Sequence, residues 1–373
     1  MKIGMICYPS HGGSGVVATE LGKELAKRGH VVHFISYQLP FRLNSFHQNV
    51  FYHEVAMLSY PLFKYPPYTL ALVNTIAELA EREQLDILHA HYAIPHSFCA
   101  HLAREVLAGR EVRVVTTLHG TDITLVGSDP SFKRITRYSI DKSDGVTAVS
   151  QSLRAETEQT FAPRQEIRTI YNFINTKNVY RLPDARRVVG CPEQNCKVLV
   201  HISNFRPVKR LHDVVQIFAR VRRAMPARLL LVGDGVERRS TQALVDKLGL
   251  QQDVCFLGTQ DNVIPILSAA DLFLLPSEKE SFGLGALEAM ACGVPVIASS
   301  AGGIPEVVVH GETGYLAAVG DVEAMSAYAV NLLKDEEKLQ QLRTAARRRV
   351  EDFFDSELIV PQYEAFYREL RER

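Results

Sequence analysis

The chain has no surplus of charge: its 373 residues include 42 Lys and Arg against 42 Asp and Glu. A general nucleic-acid binder needs a basic excess to neutralise phosphates, so that class is excluded, while a small local anion pocket is not. Long apolar runs are missing too. The N-terminal KIGMI is short and is followed by Pro9, His11 and glycines, which is too little for the core of a secretory signal. Nowhere does the sequence approach the roughly 18 unbroken apolar residues of a membrane span, so no stable membrane association is expected and the chain reads as cytoplasmic. Cysteines are few and scattered, at positions 7, 99, 191, 196, 255 and 292. That pattern fits free thiols in a reducing compartment better than a disulfide framework. Cys191 and Cys196 form a lone C-x4-C pair, without the second pair that zinc needs. No short-period repeat is present.

What is present is enough apolar content for real cores, 46% of residues, and a length that suggests two domains. Short β-rich runs alternate with helical patterns. Residues 2–7 and 31–36 predict strands. Between them Val17, Leu21 and Leu25 lie four apart on one helical stripe, with Gly29 at its stop. The pattern continues with strands at 87–90, 112–118, 144–149 and 167–171, and a helix near 97–107. The stretch from 171 to 195 is polar and broken by Pro183 and Pro192, which reads as a linker, with room for a short helix. A second βα series follows, with strands at 197–203, 228–233, 254–259, 271–277 and 294–299, and the end of the chain is helical. The expected fold is α/β: two Rossmann-like, doubly wound parallel-sheet domains facing an interdomain cleft, where strand C-terminal ends meet.

The loop after the first strand, CYPSHGGSGVVA, contains Gly13-Ser14-Gly15-Val16-Val17-Ala18, a G-x-G-x-x-A pattern. A dinucleotide site of this type also wants an acid about 20 residues on, to hold the ribose. The second strand ends HFISYQ with no acid in that place. What remains is either a tight turn or an anion site, in which glycine backbone and a helix N-terminus receive a phosphate or carboxylate. GDGVER at 233–238 is a weaker version, best read as a strand-to-helix turn. HAHYAIPHSFCAH carries His89, His91, His96 and His101. It has no H-E-x-x-H and no acid among them, so no metal is expected.

The densest stretch is SEKESFGLGALEAMACGVPVIASSAGGIPEVV. Glu280 and Glu288 form E-x7-E, with Phe282, Gly283 and Leu284 between them at a helix start. Two acids there would be unremarkable, since acids are favoured at helix N-termini. Together with the following EAMACGVPVIAS and GGIPE, the segment resembles the signature of family 4 of the retaining nucleotide-sugar glycosyltransferases, which have the GT-B fold. The resemblance spans nearly the whole chain. The runs CYPSHGGSG, PFRLN, FKYPPY, HAHYAIPH, TTLHGTDIT, SNFRPVKR and LLPSEKESFGL resemble the branch that transfers N-acetylglucosamine from UDP-N-acetylglucosamine to the hydroxyl of L-malate, the first step of bacillithiol biosynthesis. Family members acting on an inositol phosphate, a lipid or a glycan share the donor site and are the alternative.

The domains are expected at residues 1–170 on the acceptor side and 196–356 on the donor side, with a C-terminal helix at about 357–373 packing back on the first, and the resemblance implies roles. Glu288 is expected on the ribose and Glu280 near the 3- and 4-hydroxyls of the donor sugar, so neither is a glycosidase carboxylate at the anomeric carbon. In SNFRPVKR, Arg206, Lys209 and Arg210 are cations at a strand's C-terminal end, suited to a pyrophosphate. Many relatives carry Arg where this chain has Asn204, and Arg206 is the expected replacement. Gly13 and Gly283 would add backbone amides, with Phe282 and Leu284 beside them. His119, in TTLHGTD, is implied beside the donor sugar, where it stabilises the reacting centre as one of the catalytic residues with Glu280, Arg206 and Lys209. Ser14, Tyr92, Thr117, Thr121 and Ser150 are candidates for the acceptor, and Arg42 and Lys64 are further cations for a dianion. The implied mechanism is front-face attack with retention, the leaving diphosphate taking the proton and no metal or other cofactor taking part. The oligomeric state is left open, a homodimer being one option.

Overall fold

The computed structural model describes residues 1–10, 12–57, 64–107, 109, 111–188 and 196–373. Cys191 of the C-x4-C pair lies outside the described residues, as do the last seven positions of the stretch read as a linker and parts of CYPSHGGSG and FKYPPY. The chain forms two units, Met1–Asn172 with Glu357–Arg373, and Phe173–Ser356.

The first unit is built on seven strands: β1 (Lys2–Ile6), β2 (Val31–Ser36), β3 (Val50–Glu54), β4 (Ile87–His91), β5 (Arg113–Leu118), β6 (Gly145–Ala148) and β7 (Ile167–Thr169). All pair in parallel, in the order β3-β2-β1-β4-β5-β6-β7. Helical crossovers join most of these strands and cover the sheet, which explains why β1, β2, β4 and β5 are almost wholly buried. The order reverses between β1 and β4. At such a switch point the two following loops diverge and leave room for a ligand. Those loops lead to Ser14, in the first turn of the following helix, and to Tyr92.

The helix Ser356–Glu372 closes one face of this sheet. Gly145 has no space for a side chain there, since a Cβ would fall 2.5 Å from the ring of Phe366. Tyr363 and Tyr367, both fully buried, lie over His89. The register pairs Met5 with His89 and His91 with Thr117, so these side chains share the face that the tyrosines cover.

The second unit has six parallel strands, β8 (Lys197–Ile202), β9 (Ala227–Val232), β10 (Val254–Gly258), β11 (Leu272–Leu275), β12 (Val296–Ser299) and β13 (Gly314–Ala317). Their order is β10-β9-β8-β11-β12-β13, with the reversal between β8 and β11. The loops after those two strands carry Lys209 and Glu280. Much of the stretch read as a linker belongs structurally to this unit. The Leu182 N–H donates to Ser268 Oγ at 2.9 Å, and Arg186 pairs with the buried Asp271 at 2.6 Å. Among the described residues no helix is long and apolar enough to cross a membrane.

Candidate functional site

In the first unit the loop after β1 turns directly into the helix Gly13–Lys27, whose N-cap Gly12 offers no side chain and whose first turn carries no acid. Gly15 is required for that turn, because a Cβ there would fall 2.5 Å from the Ser10 carbonyl oxygen. The positive end of the helix dipole is therefore left for an anion. Ser14 Oγ donates to Tyr92 Oη at 3.0 Å, so the loops after β1 and β4 meet at these two hydroxyls.

Tyr92 sits at φ 106°, a conformation that side-chain-bearing residues rarely hold. Three contacts fix it. Its N–H donates to the Thr117 carbonyl at 3.1 Å, its ring meets Tyr8 edge-on at 5.6 Å, and the His119 ring lies 5.5 Å away. The next N–H, of Ala93, donates to Asp122 Oδ2 at 3.0 Å. The other oxygen of the same carboxylate accepts the N–H groups of His119 and Gly120, at 3.1 and 2.9 Å. Gly120 at φ 111° permits that turn. Asp122, 2% exposed, thus ties together the loops that carry Tyr92 and His119. Its burial raises the carboxyl to about 6, and the backbone N–H groups pull in the opposite direction. TTLHGTD contains this acid, yet sequence reasoning assigned it no role. Its signal was an acid just past a glycine that needs positive φ.

Ser14, Tyr92 and His119 are thus brought together. The Thr117 side chain is not offered to them. Its Oγ1 bonds His89 Nε2 and Thr147 Oγ1, both at 2.7 Å, in the layer beneath Tyr363 and Tyr367. Ser150 caps the helix Gln151–Phe161, accepting the Leu153 N–H at 3.0 Å. Thr121 opens the short helix Thr121–Thr124. Each histidine of HAHYAIPHSFCAH has a partner that is not a metal. His89 bonds Thr117, His91 bonds His119, His96 bonds the His91 carbonyl and His101 bonds Tyr138. Burial lowers His89 and His119 to about 3 and His96 to about 4, which keeps all three neutral. Among the described residues no group of three or more His, Cys, Asp or Glu side chains is arranged to hold a metal ion.

In the second unit Lys209 Nζ forms an ion pair with Glu280 Oε1, and Ser277 Oγ donates to the same oxygen at 3.0 Å. The Glu278 N–H donates to the Val208 carbonyl at 2.8 Å, so the loops after β8 and β11 are joined by backbone as well. Close approach of glycines fixes both loops from behind. A Cβ on Gly302 would fall 1.9 Å from the Glu280 carbonyl oxygen, and one on Gly233 would fall 1.8 Å from that of Ser203. The GDG turn thus braces the SNFRPVKR loop. The buried His201 does the same from below. Its Nδ1–H donates to the Leu274 carbonyl at 2.8 Å, which leaves Nε2 to accept from Ser203 Oγ at 2.7 Å.

Gly283, at φ 94°, is the N-cap of the helix Leu284–Ala291, which again has neither a capping side chain nor an acid in its first turn. Glu288 is buried on that helix. Phe282 packs its ring edge-on against Phe354 at 5.7 Å and is 2% exposed, so only its backbone is available to a ligand. Leu284 is partly exposed, and Arg206 is exposed at the start of the turn Pro207–Lys209. Arg210 is turned aside, its Nε on Asp213 at 2.6 Å. The second unit therefore presents an exposed cation, a paired Lys–Glu and an uncapped helix start on adjoining loops. Such a set suits an anion attached to a hydroxyl-rich group.

Both units are similar to known glycosyltransferases. Residues 11–178 match the family described as Glycosyltransferase Family 4, and residues 184–349 match Glycosyl transferases group 1. The chain is 53% identical over 369 residues to N-acetyl-alpha-D-glucosaminyl L-malate synthase of Bacillus anthracis, covering 98% of this chain and 96% of that protein. It is 28% identical over 279 residues to D-inositol 3-phosphate glycosyltransferase of Corynebacterium urealyticum, covering 68% and 64% of the two. Among solved structures, sucrose-phosphate synthase from Thermosynechococcus elongatus superposes with TM-score 0.84 at 24% identity, over 99% of both chains. Anabaena HepE in complex with UDP-glucose superposes with TM-score 0.83 at 23% identity, over 99% of this chain and 100% of that one.

Proposed function

The chain belongs to the family 4 glycosyltransferases, and from that premise we propose that it transfers N-acetylglucosamine from UDP-N-acetylglucosamine to the hydroxyl of L-malate, with retention at the anomeric carbon. The observation that carries the donor half is the Lys209–Glu280 pair beside the uncapped helix start at Gly283. UDP is already a good leaving group, so it needs stabilisation of negative charge more than a strong acid. In this reading Lys209, Arg206 and the amides near Gly283 supply that stabilisation. Glu280, held by Lys209 and Ser277, orients sugar hydroxyls, and Glu288 meets the ribose. No step uses a metal.

For the acceptor, the relative that is 53% identical is an N-acetyl-alpha-D-glucosaminyl L-malate synthase. The Ser14–Tyr92 pair at an uncapped helix start has the chemistry a carboxylate asks for, hydroxyl donors and free positive dipole. His119 then lies beside the donor sugar, and a phosphate oxygen of the departing UDP takes the proton of the malate hydroxyl.

The test is UDP release from UDP-N-acetylglucosamine with L-malate, inositol phosphate and simple glycans as acceptors. Malate-dependent UDP is the expected result, and turnover with inositol phosphate alone would replace the acceptor assignment. Two variants separate the half-sites. Ser14→Ala is expected to raise the KM for malate about 10-fold, the worth of one hydrogen bond to a charged group, and to leave the KM for the donor near its original value. Glu288→Ala is expected to do the reverse. Both acting on the donor alone would remove the first loop from the acceptor site.

A further inference from the structure

The ring of His119 is held by a neighbour that is itself constrained. His119 Nε2 lies 2.9 Å from His91 Nδ1, and His91 Nε2 lies 3.0 Å from Met5 Sδ. Met5 and His91 have zero exposure. The two imidazoles lie side by side, 24° from parallel with centroids 5.1 Å apart. His91 is the last residue of β4, and its carbonyl accepts from His96 Nδ1 at 2.6 Å, so the backbone that carries the ring is held as well.

A thioether has lone pairs and no proton, so it can only accept. At 3.0 Å a bare ring nitrogen would set lone pair against lone pair, so His91 Nε2 carries the hydrogen. His91 is buried and neutral, its pKa driven well below the usual histidine value by desolvation. A neutral imidazole has one ring hydrogen, so His91 Nδ1 is bare. His119 Nε2, which faces it, must then be the donor. His119 is neutral as well, so its own Nδ1 is bare. That nitrogen has no partner among the described residues and is not among the buried unpaired atoms.

We infer that Met5 and His91 set the tautomer of His119, so that His119 offers the substrate a hydrogen-bond acceptor at Nδ1 and not a proton. Met5 and His91 are positioning residues. The ligand atom that suits Nδ1 is a hydroxyl, and a sugar hydroxyl of the donor is the natural one. His119 accordingly supports the donor by accepting, and the charge that develops on the diphosphate is left to the cations of the second unit. The assignment of a sugar hydroxyl rests on the donor-side reading of His119 above, but the tautomer belongs to the free protein.

The experiment uses the full chain labelled with 15N in its histidine rings. Long-range proton–nitrogen spectra at neutral pH distinguish bare from protonated ring nitrogens, and His119→Gln and His91→Asn assign the signals. The expected pattern is hydrogen on Nε2 and none on Nδ1 for both rings. A His119 ring with hydrogen on Nδ1, or a doubly protonated one, would overturn the inference. Met5→Leu keeps the volume and removes the acceptor, and should convert His119 to a mixture of tautomers. An unchanged spectrum would take Met5 out of the chain. In turnover, His91→Phe is expected to lower kcat about 10-fold with little change in KM for malate, while His91→Asn recovers most of it, because its amide oxygen can replace Nδ1. Equal losses in the two variants would also count against the inference. If the tautomer is as stated but His119→Ala keeps its kcat, the donor-side reading fails and the tautomer assignment stands.

Discussion

Lys209→Ala is expected to lower kcat/KM about 10²–10³-fold, the size of effect that follows loss of one group aimed at developing charge. The loss should fall mainly on kcat, because the diphosphate gains charge as the glycosidic bond breaks and the cation is worth most at that moment. Geometry adds a second term. Glu280 is largely buried, its side chain 13% exposed, and Lys209 is its ion-pair partner. Without Lys209 the carboxylate keeps, among the described residues, only the Ser277 hydroxyl. It then takes up a proton or swings toward water, and either outcome disturbs the sugar contact assigned to it. Lys209→Arg should restore less than charge conservation suggests, since a planar fork cannot occupy the place of a compact ammonium. Steady-state rates at saturating malate, with UDP affinity from calorimetry, separate these contributions. A loss smaller than about 5-fold in kcat/KM would place Lys209 away from the leaving group.

Much of this arrangement was legible in the sequence, and the parts that were not have identifiable causes. The βα alternation predicted parallel sheets, and the residues after β8 and β11 announced themselves because a motif packs many functional side chains into one short loop. The joining of those loops was invisible, since Lys209 and Glu280 are 71 residues apart and meet only because β8 and β11 are neighbours. Strands β3 and β13 were not read. Both lie at sheet edges with mixed burial, and half-exposed strands lose the apolar run that marks a central one. Thr117 failed for a different reason. Its place in TTLHGTD is adjacent to the site, but side chains alternate along a strand. The register with His91 sends its hydroxyl under the tyrosines of the last helix. Nothing local in TTLHGTD reveals that the final helix, although expected to pack back on the first domain, covers that particular face. The His91–Met5 contact was hidden in the same layer.

Asp122→Ala should be the most disruptive single change in the first unit. It removes one carboxylate and strands three backbone donors, of Ala93, His119 and Gly120. Each buried N–H left without an acceptor costs about 1–3 kcal/mol, so a total of roughly 3–5 kcal/mol is expected, allowing for partial relaxation. That corresponds to a drop of about 10 °C in the melting of this unit. Turnover should fall with it, because Tyr92 is held at positive φ by the same loop that Asp122 anchors. Asp122→Asn keeps one acceptor oxygen and should lie between the two. The pH dependence has a definite sign. The carboxyl stands at about 6 in the folded chain, above its ordinary 3.8, because burial outweighs the backbone N–H bonds. Between those values the folded state holds a proton that the unfolded state has lost, so this group's contribution to stability declines as pH rises through that window and is constant above it. Activity should run the opposite way. Only the ionised carboxylate accepts at both oxygens, so kcat should fall below about pH 6 as protonation turns one oxygen into a donor facing N–H groups. Asp122→Asn should flatten both profiles across this range. Thermal melts and initial rates from pH 4.5 to 7.5 check the two signs together, and an acid limb in kcat that survives in the Asn variant would assign it to another group.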